Sequence, residues 1–409
     1  MHLARTLSKT AAALVGLALA TTSHAAWDLL PQIELAATHD DNLRLLPDDG
    51  PLDISGGAMT LDARFRATST GERGSFFVEP RVRVDEYADA ENEDLNGADT
   101  FLRARGNHAW TGASLAFALD YDQQDIKDAE MTDAFPDDPN IDEPPDTGTG
   151  LLVIDEDRKH LFVAPSLDVQ VSERSSLVFA SQLLDVSYTG AEFRGRVDFQ
   201  DTEFSAGILR RVDDRNEVSA RLVGSEFVSK FNDNVTTTFG VEGTFQRTLI
   251  RDWSFYLQAG VSRSDYSFLN ERLERIENAD TSFTYLLGFQ QRTERNTINI
   301  DFAQDTSPTS GGFLTLRKEF AIYVSRAMTQ RLRGEIGLRG AASKTLDDVI
   351  ANDERDYVRV DLGMEWAMRE RLFLNGGYGF TEQQFQEEST DASSNYVYVG
   401  IVWRGRSDQ

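Results

Sequence analysis

Apolar and polar residues alternate one by one along much of the chain. In the segment 357–366 one face carries Val358, Val360, Leu362, Met364 and Trp366, and the other carries Arg359, Asp361 and Glu365. The same period of two runs through Phe76–Asp85 and Arg331–Gly340. Side chains that alternate in this way belong to β-strands whose two faces meet different surroundings. The pattern therefore predicts an all-β protein.

Short clusters of charged and small polar residues interrupt the alternating segments at a regular spacing. Six of them lie near residues 173, 214, 251, 294, 329 and 369, which is a period of about 40 residues. Propeller blades have a similar period, but their Gly-His and Trp-Asp signature is missing here. Each interval holds only two long segments, so the period indicates successive pairs of long strands.

The strands are predicted to cross a membrane. They run for about 11 to 16 residues, whereas strands of globular proteins usually have about 5 or 6. Turns on one side are short and connections on the other side vary widely, as in outer-membrane barrels. A soluble sandwich would turn its apolar face to a core, but a barrel turns it to lipid and keeps the charged face in a wet lumen. These features favour a transmembrane antiparallel up-and-down β-barrel.

We predict 18 strands, an even number that suits bacterial single-chain barrels. Sixteen is the alternative, because the first segment and the one that runs from Asn296 into a proline are the least regular. The predicted strands begin at Gln32, Met59, Ser75, Asp99, Ala113, Asp157, Ser175, Arg196, Asn216, Asn234, Trp253, Asp280, Asn296, Gly312, Arg331, Arg355, Arg371 and Ser393.

The N-terminus predicts export. Arg5 and Lys9 precede a ten-residue apolar run, Ala11–Ala20, and Ser23-His24-Ala25 ends it with small residues. That run is too short to span a bilayer, which takes about 20 residues. We predict a signal peptide at 1–25 and an outer-membrane β-barrel at 26–409. The chain has no cysteine, so a lipoprotein anchor, a disulfide framework and a thiolate metal site are excluded.

Composition excludes one class of partner. The net charge of -27 opposes binding to nucleic acid, whose phosphates require a basic surface. It suits a solvated acidic surface or a pore that attracts cations. The mean hydropathy of -0.40 is compatible with a barrel, because lipid-facing and lumen-facing residues average to a polar value.

Candidate chemistry is sparse, and we predict no catalytic residue, metal site or cofactor. After residue 25 the histidines are His39, His108 and His160. His160 could meet a serine near the outer rim, as a barrel lipid hydrolase would need, but a plain rim histidine is preferred. His39 precedes two aspartates, and strand neighbours point to opposite faces. A barrel enzyme acting on lipid or lipopolysaccharide, and a structural or adhesive barrel, remain the alternatives.

Charged residues are instead predicted to point into the lumen. A barrel of 16 to 18 strands leaves an aqueous channel, and rings of charge set its selectivity. Opposite charges on neighbouring strands could equally neutralise each other and stiffen the wall. The predicted pore-lining residues are Arg64, Arg66, Arg81, Arg83, Asp85, Glu335, Arg339, Arg359, Asp361 and Glu365.

The connection Asp128–Asp157 is predicted to be a long outer loop. It holds eleven acids and no Lys or Arg, and its prolines forbid a regular helix. It could be a purely solvated loop, it could fold over the mouth and favour cations, or it could bind divalent cations between lipopolysaccharides. The candidate residues are Asp133, Asp137, Asp138, Asp142, Glu143 and Asp146.

The segment Ile33–Leu46, with Asp40-Asp41-Asn42 followed by Arg44, resembles the opening strand of outer-membrane β-barrel porins associated with exopolysaccharide loci. Repeated turns such as Ser172-Glu173-Arg174 are similar to those of the same family. The resemblance implies a porin-like channel that serves surface polysaccharide export, with export components among its partners. It implies no catalytic residue.

The remaining expected partners follow from the barrel. They are outer-membrane lipid, lipopolysaccharide and the barrel insertion machinery. The last segment, Asn395–Trp403, resembles the C-terminal strand that this machinery recognises.

Overall fold

The computed structural model describes residues 27–43, 45, 55–88, 96–125, 157–189, 196–230, 233–250, 252–269, 274–346, 355–385 and 390–405. The strands are β1 Trp27–Asp40, β2 Gly56–Gly71, β3 Gly74–Tyr87, β4 Gly97–Trp110, β5 Ala113–Asp125, β6 Asp157–Ser172, β7 Ser175–Thr189, β8 Phe199–Arg211, β9 Asn216–Ser229, β10 Val235–Ile250, β11 Trp253–Leu269, β12 Arg275–Arg292, β13 Asn296–Pro308, β14 Leu314–Ala327, β15 Leu332–Thr345, β16 Arg355–Arg369, β17 Leu372–Phe385 and β18 Thr390–Arg404. The predicted signal peptide and the six candidate acids of the outer loop lie outside the described residues.

These strands form one closed antiparallel barrel. Each strand pairs with its neighbours in the chain, and β1 pairs with both β2 and β18. The prediction of 18 strands is confirmed and the alternative of 16 is wrong, since both of the least regular segments form strands. The proline that made the second one doubtful, Pro308, is the last residue of β13, where it interrupts no ladder. Within the described residues, no helix is long and apolar enough to cross a membrane.

The two ends of the barrel differ as predicted. At one end, which we call the short-turn end, consecutive strands are joined by two to four residues. At the other, the long-loop end, the connections range from four residues to the 31 between β5 and β6.

Three short turns share a side-chain cap. Asp213 Oδ1 accepts hydrogen bonds from the N–H groups of Arg215 and Asn216, at 2.8 and 2.9 Å. Thr293 and Thr329 accept equivalent bonds through Oγ1 from the backbone two and three residues later. The bond from Arg215, together with those from Asn216, lowers the pKa of the Asp213 carboxyl. Three of the charged turn clusters seen in the sequence are therefore turns closed by an Asp or Thr side chain.

The outer surface of the wall is apolar. On β16, Val358, Leu362, Met364 and Trp366 are all exposed, Val360 is partly exposed, and Arg359 and Asp361 are buried on the other face. On β18 the exposed face carries Val397, Val399, Ile401 and Trp403. Because these apolar side chains point away from the barrel interior, the alternation in the sequence corresponds to an outer face and an inner face.

A hydrogen-bonded clasp closes the barrel where its first and last strands meet. Asp41 accepts hydrogen bonds from the backbone N–H and the side-chain amide of Asn395, at 2.6 and 2.8 Å. Asp40 accepts one from the Ser394 hydroxyl at 2.6 Å, and the Asn42 amide donates to the Ser393 carbonyl at 2.9 Å. Each residue of the Asp-Asp-Asn motif thus bonds the end of β1 to β18.

A cation on the outer face is expected to destabilise the barrel far more than one on the inner face. Leu257 and Gln258 are neighbours on β11, with Leu257 outward and exposed and Gln258 inward beside Glu242. L257R should lower the free energy of unfolding in lipid vesicles by about 2–4 kcal/mol. Q258R, the matched control, places its charge near a carboxylate and should cost little. Equal losses for the two variants would contradict the assignment of faces.

Loss of the clasp is expected to weaken barrel closure. D41A removes both bonds to Asn395, and because Asp41 is exposed we expect a loss of about 1 kcal/mol. Denaturant unfolding, and the temperature at which the folded band disappears on a gel, both measure the change. E72A, in the exposed β2–β3 turn, is the control and should behave as wild type. A wild-type unfolding curve for D41A would show that the clasp adds nothing to closure.

Candidate functional site: the inner wall of the barrel

The inner face of β2–β6 is rich in arginine. Its ions are Arg64, Arg66, Arg81, Arg83, Arg103, Arg105 and Arg158, with Asp62, Glu79, Asp85, Asp99, Asp120 and Asp122. Most ion pairs run across strands: Arg66 to Glu79 at 2.6 Å, Arg81 to Asp62 at 2.6 Å, and Arg103 and Arg105 to Asp120 at 3.1 and 2.6 Å. Arg83 pairs with Asp85 along β3 at 2.9 Å. We call this part of the inner face the arginine-rich sector. Its cross-strand pairs join β2 to β3 and β4 to β5, as pairs of opposite charge do in sheets.

Arg64 differs from its neighbours. It lies directly opposite Arg81 in the β2–β3 ladder, and Arg81 is paired with Asp62. No described residue forms a hydrogen bond or an ion pair with Arg64. It therefore adds a positive charge to the interior that the described wall does not neutralise.

The inner face of β14–β18 is mixed in sign. Arg339 pairs with Glu319 at 2.8 Å, Arg359 with Asp361 at 2.8 Å, and Arg404 with Glu365 at 2.5 Å. Glu335 accepts hydrogen bonds from the hydroxyls of Tyr323 and Ser325, both at 3.1 Å. All ten charged residues predicted for the lumen therefore lie on the inner face. Their role in conduction stays a prediction.

A third sector, on β8–β13, is acidic and was not predicted. It contains Asp201, Glu203, Glu242, Asp301 and Asp305. Asp305 lies near enough to repel Asp201 and Glu203 electrostatically, although β13 and β8 are not neighbours in the wall. Arg221 offsets part of this charge through its 2.6 Å pair with Glu242.

The sequence carried a signal for the acidic sector. Asp201 and Glu203 alternate with exposed Phe204, Ala206 and Ile208 along β8, which is the pattern used to predict the other lumen residues. The proximity of β13 to β8 has no local signal, because it depends on how the barrel curves.

The histidines form no hydrolase site in the part of the chain that the structure describes. His160 is buried, and its Nδ1 lies 2.8 Å from Asp122 Oδ2, while Arg158 also binds Asp122 at 3.2 Å. No described serine bonds to His160. His39 is exposed on the outer face and Asp40 is buried on the inner face. Among the described residues, no group of three or more His, Asp or Glu side chains is arranged to hold a metal ion.

The β13–β14 hairpin folds into the long-loop mouth of the barrel. Residues 308–315 are buried without interruption, which a strand in a lipid-facing wall cannot achieve. The hairpin tip bonds to a distant part of the wall: Val197 N–H donates to the Ser310 carbonyl at 2.9 Å, and the Asn234 amide donates to the Gly312 carbonyl at 3.1 Å. Residues 196–198 precede β8 and Asn234 precedes β10, so the tip reaches across β11 and β12.

Apolar packing holds the hairpin in place. Leu314 packs in a cluster with Leu184, Val186 and Phe227, and Phe227 is fully buried. These residues lie on β7 and β9, facing inward at the long-loop end. The segment Ser307–Phe313, with its Pro and two Gly, was predicted only as a strand boundary near Gly312.

The closed barrel, its apolar exterior and its charged interior define a transmembrane β-barrel of the bacterial outer-membrane type. Every wall strand satisfies its backbone groups through its neighbours in the part that faces lipid, which is the requirement for spanning a bilayer with strands.

Comparison with known proteins places the chain among structures of similar architecture. It is similar to Acinetobacter baumannii OccAB2 (11% identity, 93% of this chain and 98% of that chain, TM-score 0.45) and to the outer membrane protein OpdK of Pseudomonas aeruginosa (9%, 92% and 99%, 0.44). It is also similar to the siderophore receptor PiuA of Acinetobacter baumannii (8%, 92% and 82%, 0.46). No protein-family model matches the chain, and no curated protein sequence matches it.

Removal of the hairpin tip is expected to widen the passage. Replacing Thr309–Phe313 by Asn-Gly would join Pro308 and Leu314 through a two-residue turn and remove both bonds to the wall. Single-channel conductance in planar bilayers should rise, because the mouth loses a buried obstruction. F313L, which keeps an apolar side chain at the tip, is the control and should leave conductance unchanged. An unaltered conductance after the replacement would show that ions do not pass the hairpin.

Proposed function

We propose that this protein is an outer-membrane channel for water-soluble solutes, with its long-loop end at the cell surface, and that surface polysaccharide is its cargo. The charged inner wall is the observation that supports this most directly. On β2–β6 seven arginines are nearly balanced by six carboxylates, whereas on β8–β13 the five carboxylates of the acidic sector face Arg221, so one side of the interior carries an excess of negative charge.

Such an interior suits the passage of polar solutes. Charged side chains keep a lumen hydrated, and their arrangement decides which ions enter it. A barrel that served only as a structural anchor would not need a cation such as Arg64, which pairs with no described residue, on its inner face. The mixed pairs of β14–β18 stiffen the wall and are compatible with either role.

Aromatic rings on the inner face support a carbohydrate cargo. Tyr396 and Tyr398 stack with ring centroids 5.8 Å apart, and the guanidinium of Arg81 lies 4.8 Å from the ring centre of Phe101. Arg404 lies 4.3 Å from the ring centre of Phe373 in the same way. Flat rings offer apolar faces to the C–H faces of sugars, and the adjacent charges bind hydroxyls. The resemblance of Ile33–Leu46 to porins associated with exopolysaccharide loci points to the same cargo.

The alternative of a barrel enzyme has less support. His160, the histidine best placed for it, is bonded to Asp122, which also binds Arg158, and no described serine bonds to its ring. The proposal that the acidic outer loop favours cations stands on the sequence alone.

A single substitution tests the channel and its charge. Wild-type protein should conduct in planar bilayers, and R64Q should shift the reversal potential in a salt gradient toward cation preference. The reason is that Arg64 is an inward cation that no described residue neutralises, whereas the charge of Arg81 is shared with Asp62.

The matched control removes the same charge from the outer face. Arg263 is exposed outside the wall beside Asp265, so R263Q should leave the reversal potential at its wild-type value. Absence of conductance in wild type would contradict the channel. Equal shifts in R64Q and R263Q would mean that bulk charge, and not the inner wall, sets selectivity.

A further inference from the structure

The ladder between β12 and β13 stops far below the end of β12. It runs from the pair formed by Arg292 and Thr297 up to the pair formed by Tyr285 and Gln304. β12 itself continues to Arg275 and stays paired with β11 over that whole length. Within 274–346, which the structure describes without a gap, residues 275–284 therefore have a neighbour on one side only. At the usual rise per residue this leaves about 30 Å of open strand edge.

The opening arises because β13 leaves the wall. Above Gln304 it keeps its pairing with β14 but follows the hairpin into the mouth, where residues 308–315 are buried. On the other side of the gap, residues 277–281 are exposed on both faces. A slit thus separates the β11–β12 hairpin from the hairpin that covers the mouth.

The slit lies above the lipid-facing belt. Phe283 and Phe302 are exposed on the outer face at its base, and higher up the outer face of β12 carries Thr281, Ala279 and Glu277. On β11 beside it, Arg263 and Asp265 form an exposed ion pair. The slit therefore faces water, where an open strand edge costs little free energy.

Side chains form hydrogen bonds with backbone groups along both edges of the slit, which we call its lips. The Gln304 amide donates to the Phe283 carbonyl at 2.6 Å, so the odd-numbered residues of β12 direct their backbone groups into the slit. The N–H groups of Ala279 and Thr281 are satisfied by the side chains of Asn278 and Asp280, at 2.9 and 2.7 Å. On the opposite lip Asp305 does the same for Thr306 at 2.7 Å.

These caps disfavour two other uses of the edge. A strand from another protein would need those N–H groups as donors, and they already have acceptors. If β12 and β13 instead extended their ladder beyond Gln304, these side-chain to backbone hydrogen bonds would have to break.

We infer that the slit between β12 and β13 is a lateral portal, through which solutes pass between the lumen and the cell surface beside the inward hairpin. The inference rests on the proposed channel function and adds the route. The portal opens onto the acidic sector, and Asp280 and Asp305 stand at its lips. Carboxylates accept hydrogen bonds from hydroxyls and repel anions, so the portal suits neutral or cationic hydroxyl-rich solutes, such as uncharged oligosaccharides.

Blocking the slit with a bulky group tests the route. The chain has no cysteine, so D280C or D305C supplies a single thiol at one lip for a large maleimide polymer. Attachment should reduce conductance, and the uptake of a neutral oligosaccharide into proteoliposomes, several-fold relative to the same variant before labelling.

Two controls separate the portal from a general block of the mouth. Y87C places the polymer on the inner rim at the end of β3. Because β3 is nine strands from β12 in an 18-stranded barrel, this position lies on the opposite side from the slit. D265C places it on the same hairpin as Asp280 but on the outer face, where β11 is fully paired. Labelling at either position should leave most of the conductance and uptake.

The outcomes are distinct. Equal loss on labelling at 87 and at 280 or 305 would overturn the portal and leave a channel that opens through its mouth. No loss at 280 and 305, with labelling verified by mass, would also overturn the portal. A wild-type protein that does not conduct would overturn the channel and the portal together.

Uptake of two solutes tests the solute class. Wild-type proteoliposomes should take up a neutral oligosaccharide faster than a carboxylated one of equal length. The double variant D280N/D305N, which carries two fewer charges at the lips, should reduce that preference. Equal uptake of the two solutes by wild type would contradict the proposed class.

Discussion

The fold depends on the need to pair every backbone donor and acceptor that faces lipid. A bilayer offers no water to a free strand edge, so the 18 strands must close on themselves. The closure is made by the chain's two ends: β1 hydrogen-bonds to β18, and the Asp-Asp-Asn motif bonds the rim of that junction through Asn395 and Ser394. The Asp-Asp-Asn motif thus has a structural role at the point of closure.

Above the lipid belt the same constraint is relaxed, and the barrel is irregular there. The β13–β14 hairpin leaves the wall and packs on Phe227 and its neighbours, and β12 is left with one open edge. Asn278, Asp280 and Asp305 replace the missing ladder bonds with side-chain bonds. Water and these side chains together satisfy a backbone that lipid would not tolerate, so departures from the ladder concentrate at the long-loop end.

Charge inside the barrel stabilises the wall and distinguishes its sectors. Pairs such as Arg66–Glu79 and Arg359–Asp361 join strands or neighbouring positions and hold the wall. On β2–β6 arginines and carboxylates nearly balance, whereas on β8–β13 carboxylates outnumber arginine. Arg64, which pairs with no residue that the structure describes, adds a positive charge opposite Arg81.

The sequence by itself determined the class of fold, the strand count and the two faces of each strand. It could do so because each of these follows from a local rule: side chains alternate with a period of two, and turns need Asp, Thr or charged residues at fixed offsets. The ten predicted inward charges lie on the inner face for the same reason. Asp201 and Glu203 follow the same alternation but were not among the predicted residues.

Only the tertiary structure decided what meets across the barrel. The contact of Ser310 with Val197, the approach of Asp305 to Asp201 and the gap above Gln304 all join residues that are far apart along the chain. Their positions depend on the curvature of a closed wall and on where one hairpin turns inward. No local periodicity encodes these features, because they arise from the competition between packing in the mouth and pairing in the wall.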